Sequence, residues 1–464
     1  MADRQEQKFR QLTEQPVNGL ICRLAVPCII NMLVTGFYNM ADTFFVGMMN
    51  NTSATGAVGV VFTMMSILQS VGIFCGQGGG VFIARALGAQ NHKEASDMAA
   101  TSFYTAIAMG AVICVFGQIF LEPLAYLLGS TETILPYTKQ YLRIILVGAP
   151  WVIATFVLMN QLRYQGSAVY STLGTLCGAI LNIGLDPILI YTLDMGVAGA
   201  ALGTVIGQAV SFLVLLGGCA RGSTLSLHPS HIQLNAYYYK WLIKGGLPSF
   251  ARHALTSVAT ILLNHAVHPY GDAAIAAMGI VQRIMNLGAS AMIGFGQGFQ
   301  PVCGYNYGAK LYKRVKQAFF FCVKGSFAFL LTVSVLGFIF APELVAIFRD
   351  DPEVVAIGIV ALRFRCVTFP LYSWIVISNM LQQSTGRHVA ATFFSVAKEG
   401  LFFIPMLWIL VPAWGLLGVQ MTQSAADVLT MCCAVPIQLR ILRGLDKMAK
   451  GAGKENLQYE RQGK

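Results

Sequence analysis

Two carboxylates stand in runs otherwise fit for hydrocarbon. Asp42 lies in FYNMADTFFVGMM, residues 37–49, three positions after Asn39, and Asp186 lies in LNIGLDP, four positions after Asn182. On a helix those spacings place both side chains on one face, so each carboxylate has an amide beside it. Thr204, in GAALGTVIG, adds a hydroxyl. If the first and fifth apolar runs travel outward and the sixth inward, Asp42, Asp186 and Thr204 reach one level, roughly 9–12 Å below the outer surface at 1.5 Å per residue. No Lys or Arg stands at that level in these three runs. An ionisable group in hydrocarbon costs at least ~2.5–3.5 kcal/mol and needs a partner, so two carboxylates without a basic neighbour call for a cation. Oxygen donors with no Cys or His among them suit Na⁺ or a proton rather than a soft transition metal. Pro187 lacks an N–H, which frees the carbonyl of Ile183 one turn earlier as a further oxygen. A buried neutral acid, hydrogen-bonded to Asn39 or Asn182, stays open as the plainer account of either Asp taken alone.

The elements that hold these groups must be membrane helices. The 464 residues are 56% hydrophobic and 11% charged, too apolar for a soluble domain. About twelve apolar stretches are long enough to cross ~30 Å of hydrocarbon as α-helices. They fall near 20–48, 53–84, 95–121, 133–158, 168–193, 196–220, 240–268, 272–304, 316–340, 353–381, 388–411 and 415–440. The net charge of +11 suggests nucleic acid until its placement is read. Arg85, Lys93, Arg163, Arg221, Lys240, Lys310, Lys313, Arg314, Lys316 and Arg387 all fall on one side, and Lys139 and Arg349 on the other. With the basic tail at Arg440, Arg443, Lys447, Lys450 and Lys454, this asymmetry places both termini in the cytoplasm by the positive-inside rule. The charge is topological, and no nucleic acid is expected. Residues 1–19 are polar and the first apolar run is too long for a cleaved signal, so it is expected to remain as a helix. The 11 cysteines lie mainly within the spans and read as small reduced core residues.

The chain is written twice. GQGGGVFIARALGAQNHKEA from Gly76 is echoed by GQGFQPVCGYNYGAKLYKRV from Gly296. Leu142 and Arg143 match Leu362 and Arg363, Pro150 matches Pro370, Gly166 matches Gly386, Pro27 matches Pro248 and Gly199 matches Gly418, all about 220 residues apart. The expected fold is an all-α polytopic membrane protein of two pseudo-symmetric six-helix lobes. An even number of helices per half makes the repeats parallel, related by an axis along the membrane normal. The divisions are a cytoplasmic segment 1–19, an N-lobe 20–220, a cytoplasmic linker 221–239, a C-lobe 240–440 and a basic cytoplasmic tail 441–464. The duplicated Gly-Gln-Gly and Gly-Ala segments, LNIGLDP, GVAGAALGTVIGQ and VPCIINML with YNMADTFFVG resemble the multidrug and toxic compound extrusion (MATE) transporters over nearly the whole chain, of bacterial or archaeal type.

That resemblance implies a secondary antiporter of the bacterial inner membrane that expels amphiphilic organic cations by alternating access, against inward Na⁺ or H⁺. It implies that Asp42, Asn182, Asp186 and Thr204 form the cation site of the N-lobe, with Asn39, Pro27 and Ile183 behind them. Pro27 is where the first helix can bend. No cofactor beyond the coupling ion, no enzyme activity and a monomer in the lipid bilayer are expected. The second half departs from the pattern: Leu262 or Leu263, Met406 and Phe402 stand where the repeat would place the acids and amide, so no cation site is expected there. Lys398, Glu399 and Asp427 fall at mid-depth, and Lys398 with Asp427 reads as a structural interhelical pair. His265 and His268 lack a third metal ligand. GQGGG lacks the Lys-Ser/Thr and preceding strand of a phosphate loop, and its glycines suit close helix packing. Met64 and Met65 could line an adaptable cavity, though ordinary core is the plainer use. Two other functions are weighed. A lipid-linked oligosaccharide flippase of the same superfamily would use Arg252, Arg283, Arg363 and Arg365 on a pyrophosphate. A membrane enzyme would need a nucleophile and base, an HExxH or paired GxGD aspartates, none of which occurs.

Overall fold

The computed structural model describes the backbone of residues 2–48, 51–222 and 224–462, and within that range the side chains of 2, 37–44, 46, 47, 52, 222 and 452–462 lie outside the description. The helices are α1 (Ala2–Glu14), α2 (Val17–Gly47), α3 (Thr52–Gly88), α4 (His92–Ile119), α5 (Leu121–Leu127), α6 (Leu135–Tyr164), α7 (Ala168–Pro187), α8 (Gly196–Gly222), α9 (Ala236–Val267), α10 (Asp272–Gly308), α11 (Tyr312–Ile339), α12 (Ala341–Phe348), α13 (Pro352–Thr368), α14 (Leu371–Ser384), α15 (His388–Val396), α16 (Phe403–Trp414) and α17 (Leu416–Gln462). Setting aside the short α1, α5 and α12, these make twelve long segments once α13 joins α14 and α15 joins α16. Within the polar segment 1–19, Ala2–Glu14 form α1 and α2 begins at Val17.

Three spans among the described residues are not plain α-helices. The tenth is broken between α13 and α14 with a 53° bend at Phe369 and Pro370, where Pro370 offers no amide to continue the ladder. The fifth and eleventh contain π-helical turns, Ile188–Thr192 directly after Pro187 and Ala397–Phe402 between α15 and α16.

The repeat seen in the sequence recurs as geometry. Gln90 and Lys310, the residues after the duplicated Gly-Ala, both take left-handed backbone, at φ 58° and 60°. Gly199 presses on the backbone of Leu189, and Gly418 presses in the same way on Leu410, each too close to admit a Cβ. Thus the matched glycines are matched contacts, and the sequence keeps them because a side chain would force the helices apart.

The chain divides into two compact units, one of Met1–Arg10 and Ile30–Phe250, the other of Gln11–Ile29 and Ala251–Lys464. The division cuts α1, α2 and α9 within their lengths. In the first unit, Gly78 of α3 lies against the backbone of Leu242 and Gly246 in α9. In the second, Gly298 of α10 lies against Ala25 in α2, at the equivalent place in the repeat. The core of the first unit is centred on α6, whose Leu142, Leu146, Ala149, Ile153 and Val157 form a fully buried stripe at helical spacing. It packs against α3, α4 and α8. No disulfide forms among the described residues, and all 11 cysteines are free.

Candidate functional site

Three of the four residues expected to hold a cation meet in the first unit. Asn182 and Asp186 project from one face of α7, and Thr204 from α8 beside them. The Asn182 Nδ2 donates to Asp186 Oδ1 at 3.2 Å and lies 3.5 Å from Thr204 Oγ1. The three are 1%, 0% and 2% exposed, so any charge on Asp186 is held away from bulk water. Asn182 Oδ1 is a buried neutral oxygen with no hydrogen-bond partner among the described residues. An unpartnered buried carbonyl costs about 1–3 kcal/mol, and a cation or a protonated acid would offset that. The donor set is carboxylate, amide oxygen and hydroxyl, which suits a hard cation or a proton.

Space for this cluster is made by glycine. A Cβ on Gly203 would stand 2.5 Å from Asp186 Oδ1, and one on Gly207 would stand 3.0 Å from the Cβ of Asn182 and 2.8 Å from the Gly178 carbonyl oxygen. With Gly199 these residues recur every four positions on the face of α8 turned to α7. Sequence reasoning used GVAGAALGTVIGQ as a mark of resemblance and passed over this use, although the small-xxx-small spacing was there to be read. Just past the cluster Pro187 ends α7, and the π turn that follows carries Tyr191, whose hydroxyl donates to the Phe45 carbonyl of α2. Earlier on α7, Thr175 donates to Asn31 of α2, and Asn31 donates to Met159 Sδ at 3.6 Å. Two polar contacts therefore fasten α2 to α7 on either side of the expected site. Neither was foreseen, because each joins residues far apart in the chain.

Asp42 and Asn39 are backbone members of α2, and their side chains lie outside the described residues. Pro27 is inside α2, which continues through it, and Ile183 lies one turn before Pro187 in α7. Met64 is buried in the core of the first unit and Met65 packs against that core. Among the described residues no group of three His, Cys, Asp or Glu is placed to hold a metal. His265 lines an apolar groove with Trp408 and Pro412, and His268 opens a short turn capped by Gly271.

One pairing is different from the expected one. Lys398 Nζ lies 3.0 Å from Glu399 Oε1, its own neighbour, and 4.1 Å from the centre of the Tyr372 ring, whereas Asp427 accepts from Gln423 at 3.3 Å. Lys398 and Glu399 sit in the π turn Ala397–Phe402, whose wider winding lets adjacent side chains meet. Arg363 stacks on Phe338 at 5.1 Å and donates to its carbonyl at 3.4 Å.

Comparison with known proteins agrees with this architecture. The MatE family model matches residues 27–188 and 248–409, two copies that begin on Pro27 and Pro248, the pair noted in the sequence. The chain is 28% identical over 422 residues to the multidrug export protein MepA of Staphylococcus haemolyticus, covering 90% of this chain and 92% of that one. It is 26% identical over 433 residues to MepA of Staphylococcus aureus, covering 93% and 96%. A crystal structure of a MATE protein in the straight conformation superposes with a TM-score of 0.89 at 24% identity, over 95% of this chain and 99% of the other. The chain belongs to the MATE family of multi-pass membrane transporters and is not an enzyme.

Proposed function

We propose that this protein exports amphiphilic organic cations by antiport, taking Na⁺ or H⁺ in exchange at the buried Asn182, Asp186 and Thr204 cluster. That cluster is the observation that carries the reading. Its carboxylate sits at 0% exposure, accepts from the Asn182 amide that also reaches the Thr204 hydroxyl, and lies on helices whose glycines leave room for nothing bulkier. The similarity to multidrug export proteins supports the drug as cargo. Asp42 is assigned to the same site, as the second carboxylate. The reading includes a monomer in the bacterial inner membrane with both termini cytoplasmic.

Coupling needs only that the ion and the drug favour different states of the transporter. An ion drawn between Asp186 and Asp42 would join α7 to the outer half of α2. That is the stretch which Tyr191 and Asn31 already tether. Occupancy would thereby bias one packing of α2, and Pro27, which interrupts its hydrogen-bond ladder, gives it a place to bend.

The test is drug efflux from proteoliposomes under an imposed Na⁺ gradient and then a pH gradient. Asp186→Asn and Asp42→Asn keep the side-chain shape and remove the charge. Each is expected to lower coupled efflux at least tenfold, about 1.4 kcal/mol, with the protein still folded and inserted. Wild-type rates in both variants under either gradient would place the coupling site elsewhere.

A further inference from the structure

The second unit holds a buried group of charges that the cation site does not use. Asp427 of α17 is 4% exposed and, among the described residues, has no ion pair in contact. It lies eleven residues into its helix, roughly 17 Å along the axis, where an unneutralised charge costs at least ~2.5–3.5 kcal/mol. The charged groups that act on it are Lys398 and Glu399 from the eleventh span and Arg365 from α13. Lys398 is already paired with Glu399 at 3.0 Å. Arg365 is the second positive charge that acts on Asp427, after Lys398, and its guanidinium makes no hydrogen bond or ion pair among the described residues.

A cavity of about 20 Å³ is lined by Arg365, Gln282, Gln420 and Gln423, the last of which bonds Asp427, with apolar side chains around the rest. Each glutamine has committed its amide nitrogen elsewhere: Gln282 to Asn286 Oδ1 at 3.2 Å, Gln420 to the Ile357 carbonyl at 3.1 Å, and Gln423 to Asp427 Oδ1 at 3.3 Å. Three amide oxygens therefore remain as acceptors, and the five N–H groups of Arg365 as donors. One water fits, since it needs roughly 10–15 Å³ and two to four polar partners. It would donate to two glutamine oxygens and accept from Arg365.

We propose that Asp427 is a proton site in its own right, linked through Gln423 and a single buried water to Arg365. The site is separate from the cation site of the first unit and does not rest on it. With Asp427 ionised, the group of Arg365, Lys398, Glu399 and Asp427 is neutral overall. A proton bound at an Asp427 carboxylate oxygen leaves one net positive charge, borne by Arg365, and removes the reason for Gln423 to stay oriented toward the acid. The adjacent π turn at Ala397–Phe402 supplies a backbone that can adjust to that change.

Infrared difference spectroscopy of the purified full-length protein, titrated between about pH 9 and 4, reads the carbonyl stretch of a protonated carboxylic acid directly and needs no transport. A band that grows as pH falls and is missing in Asp427→Asn is expected. Arg365→Gln keeps the acid and deletes the facing cation. Its band is expected to appear at a pH higher by about one unit or more, because an opposite charge holds a carboxylate ionised. If Asp427→Asn does not fold, the midpoint shift in Arg365→Gln carries the test alone. An unchanged set of bands in Asp427→Asn, or an unmoved midpoint in Arg365→Gln, overturns the proposal.

Discussion

Thr204 bears on which ion drives transport. A proton needs a carboxylate and a hydrogen-bond partner, whereas Na⁺ needs several oxygens, and Thr204 and Asn182, whose amide nitrogen lies 3.5 Å from the Thr204 hydroxyl, each carry a neutral one. Thr204→Val keeps the β-branched shape and deletes the oxygen. If Na⁺ is the ion, Na⁺-driven efflux is expected to fall severalfold while efflux driven by a pH gradient persists, and equal retention of both would leave the hydroxyl a packing group. Gly203 tests the site from the opposite side. A methyl there would stand 2.5 Å from Asp186 Oδ1, so Gly203→Ala must displace the carboxylate or part α8 from α7. Overpacking of this kind costs about 1–3 kcal/mol, less the helix propensity that Ala regains. The thermal midpoint of the purified protein is expected to fall, and the stabilisation that Na⁺ adds to it is expected to shrink. A variant as stable as wild type with full Na⁺ stabilisation would mean that the glycine is dispensable.

At the scale of elements, the polar connection between the two halves is tied down along α4. His231 Nδ1 lies 2.7 Å from Asp97 Oδ1, and the Tyr238 hydroxyl donates to Asp97 Oδ2 at 3.4 Å. The Ser226 amide donates to Ser96 Oγ at 3.3 Å, and the Gln233 amide to Thr101 Oγ1 at 3.0 Å. Burial, reinforced by the Asp97 charge, pushes the Tyr238 phenol up to about 12, so it remains a neutral donor at physiological pH. Asp97 is 4% exposed and depends on these partners. Removing them leaves a buried carboxylate short of donors, at about 1–3 kcal/mol. His231→Ala and Asp97→Asn are therefore expected to raise hydrogen exchange in residues 224–235 well above that of α6. Unchanged protection there would show that the remaining backbone contacts suffice. This attachment was not legible in the chain, since a stretch rich in Ser, His, Pro and Asn reads as solvated loop.

For the whole molecule, what was legible followed from short-range rules. Asp186 and Asn182 stand four apart on one helix, and their meeting with Thr204 needed only the direction and length of two successive spans. The two lobes were legible because glycines such as Gly199 and Gly418 are retained wherever a backbone presses against them. The Lys398 partner was not legible, because a π turn cannot be read from an apolar run. Nor was the division of α2 and α9, because which half of a helix packs on which neighbour is a tertiary fact. That division leads to the last prediction. The first compact unit extends to Phe250 and includes the start of α9, whose Leu242 and Gly246 cover Gly78 of α3. The second reaches back to Gln11, and its Gly298 is covered by Ala25 of α2. A chain cut within the linker, between residues 223 and 224, separates each glycine face from the segment that covers it. Fragment 1–223 expressed alone is expected to be aggregated or degraded, since the backbone groove around Gly78 is left open. Co-expression with fragment 224–464 supplies both missing segments and is expected to restore a single purified species. Size-exclusion chromatography of the detergent-solubilised fragments decides it, and a monodisperse, heat-stable fragment 1–223 would show that the repeat halves are self-sufficient after all.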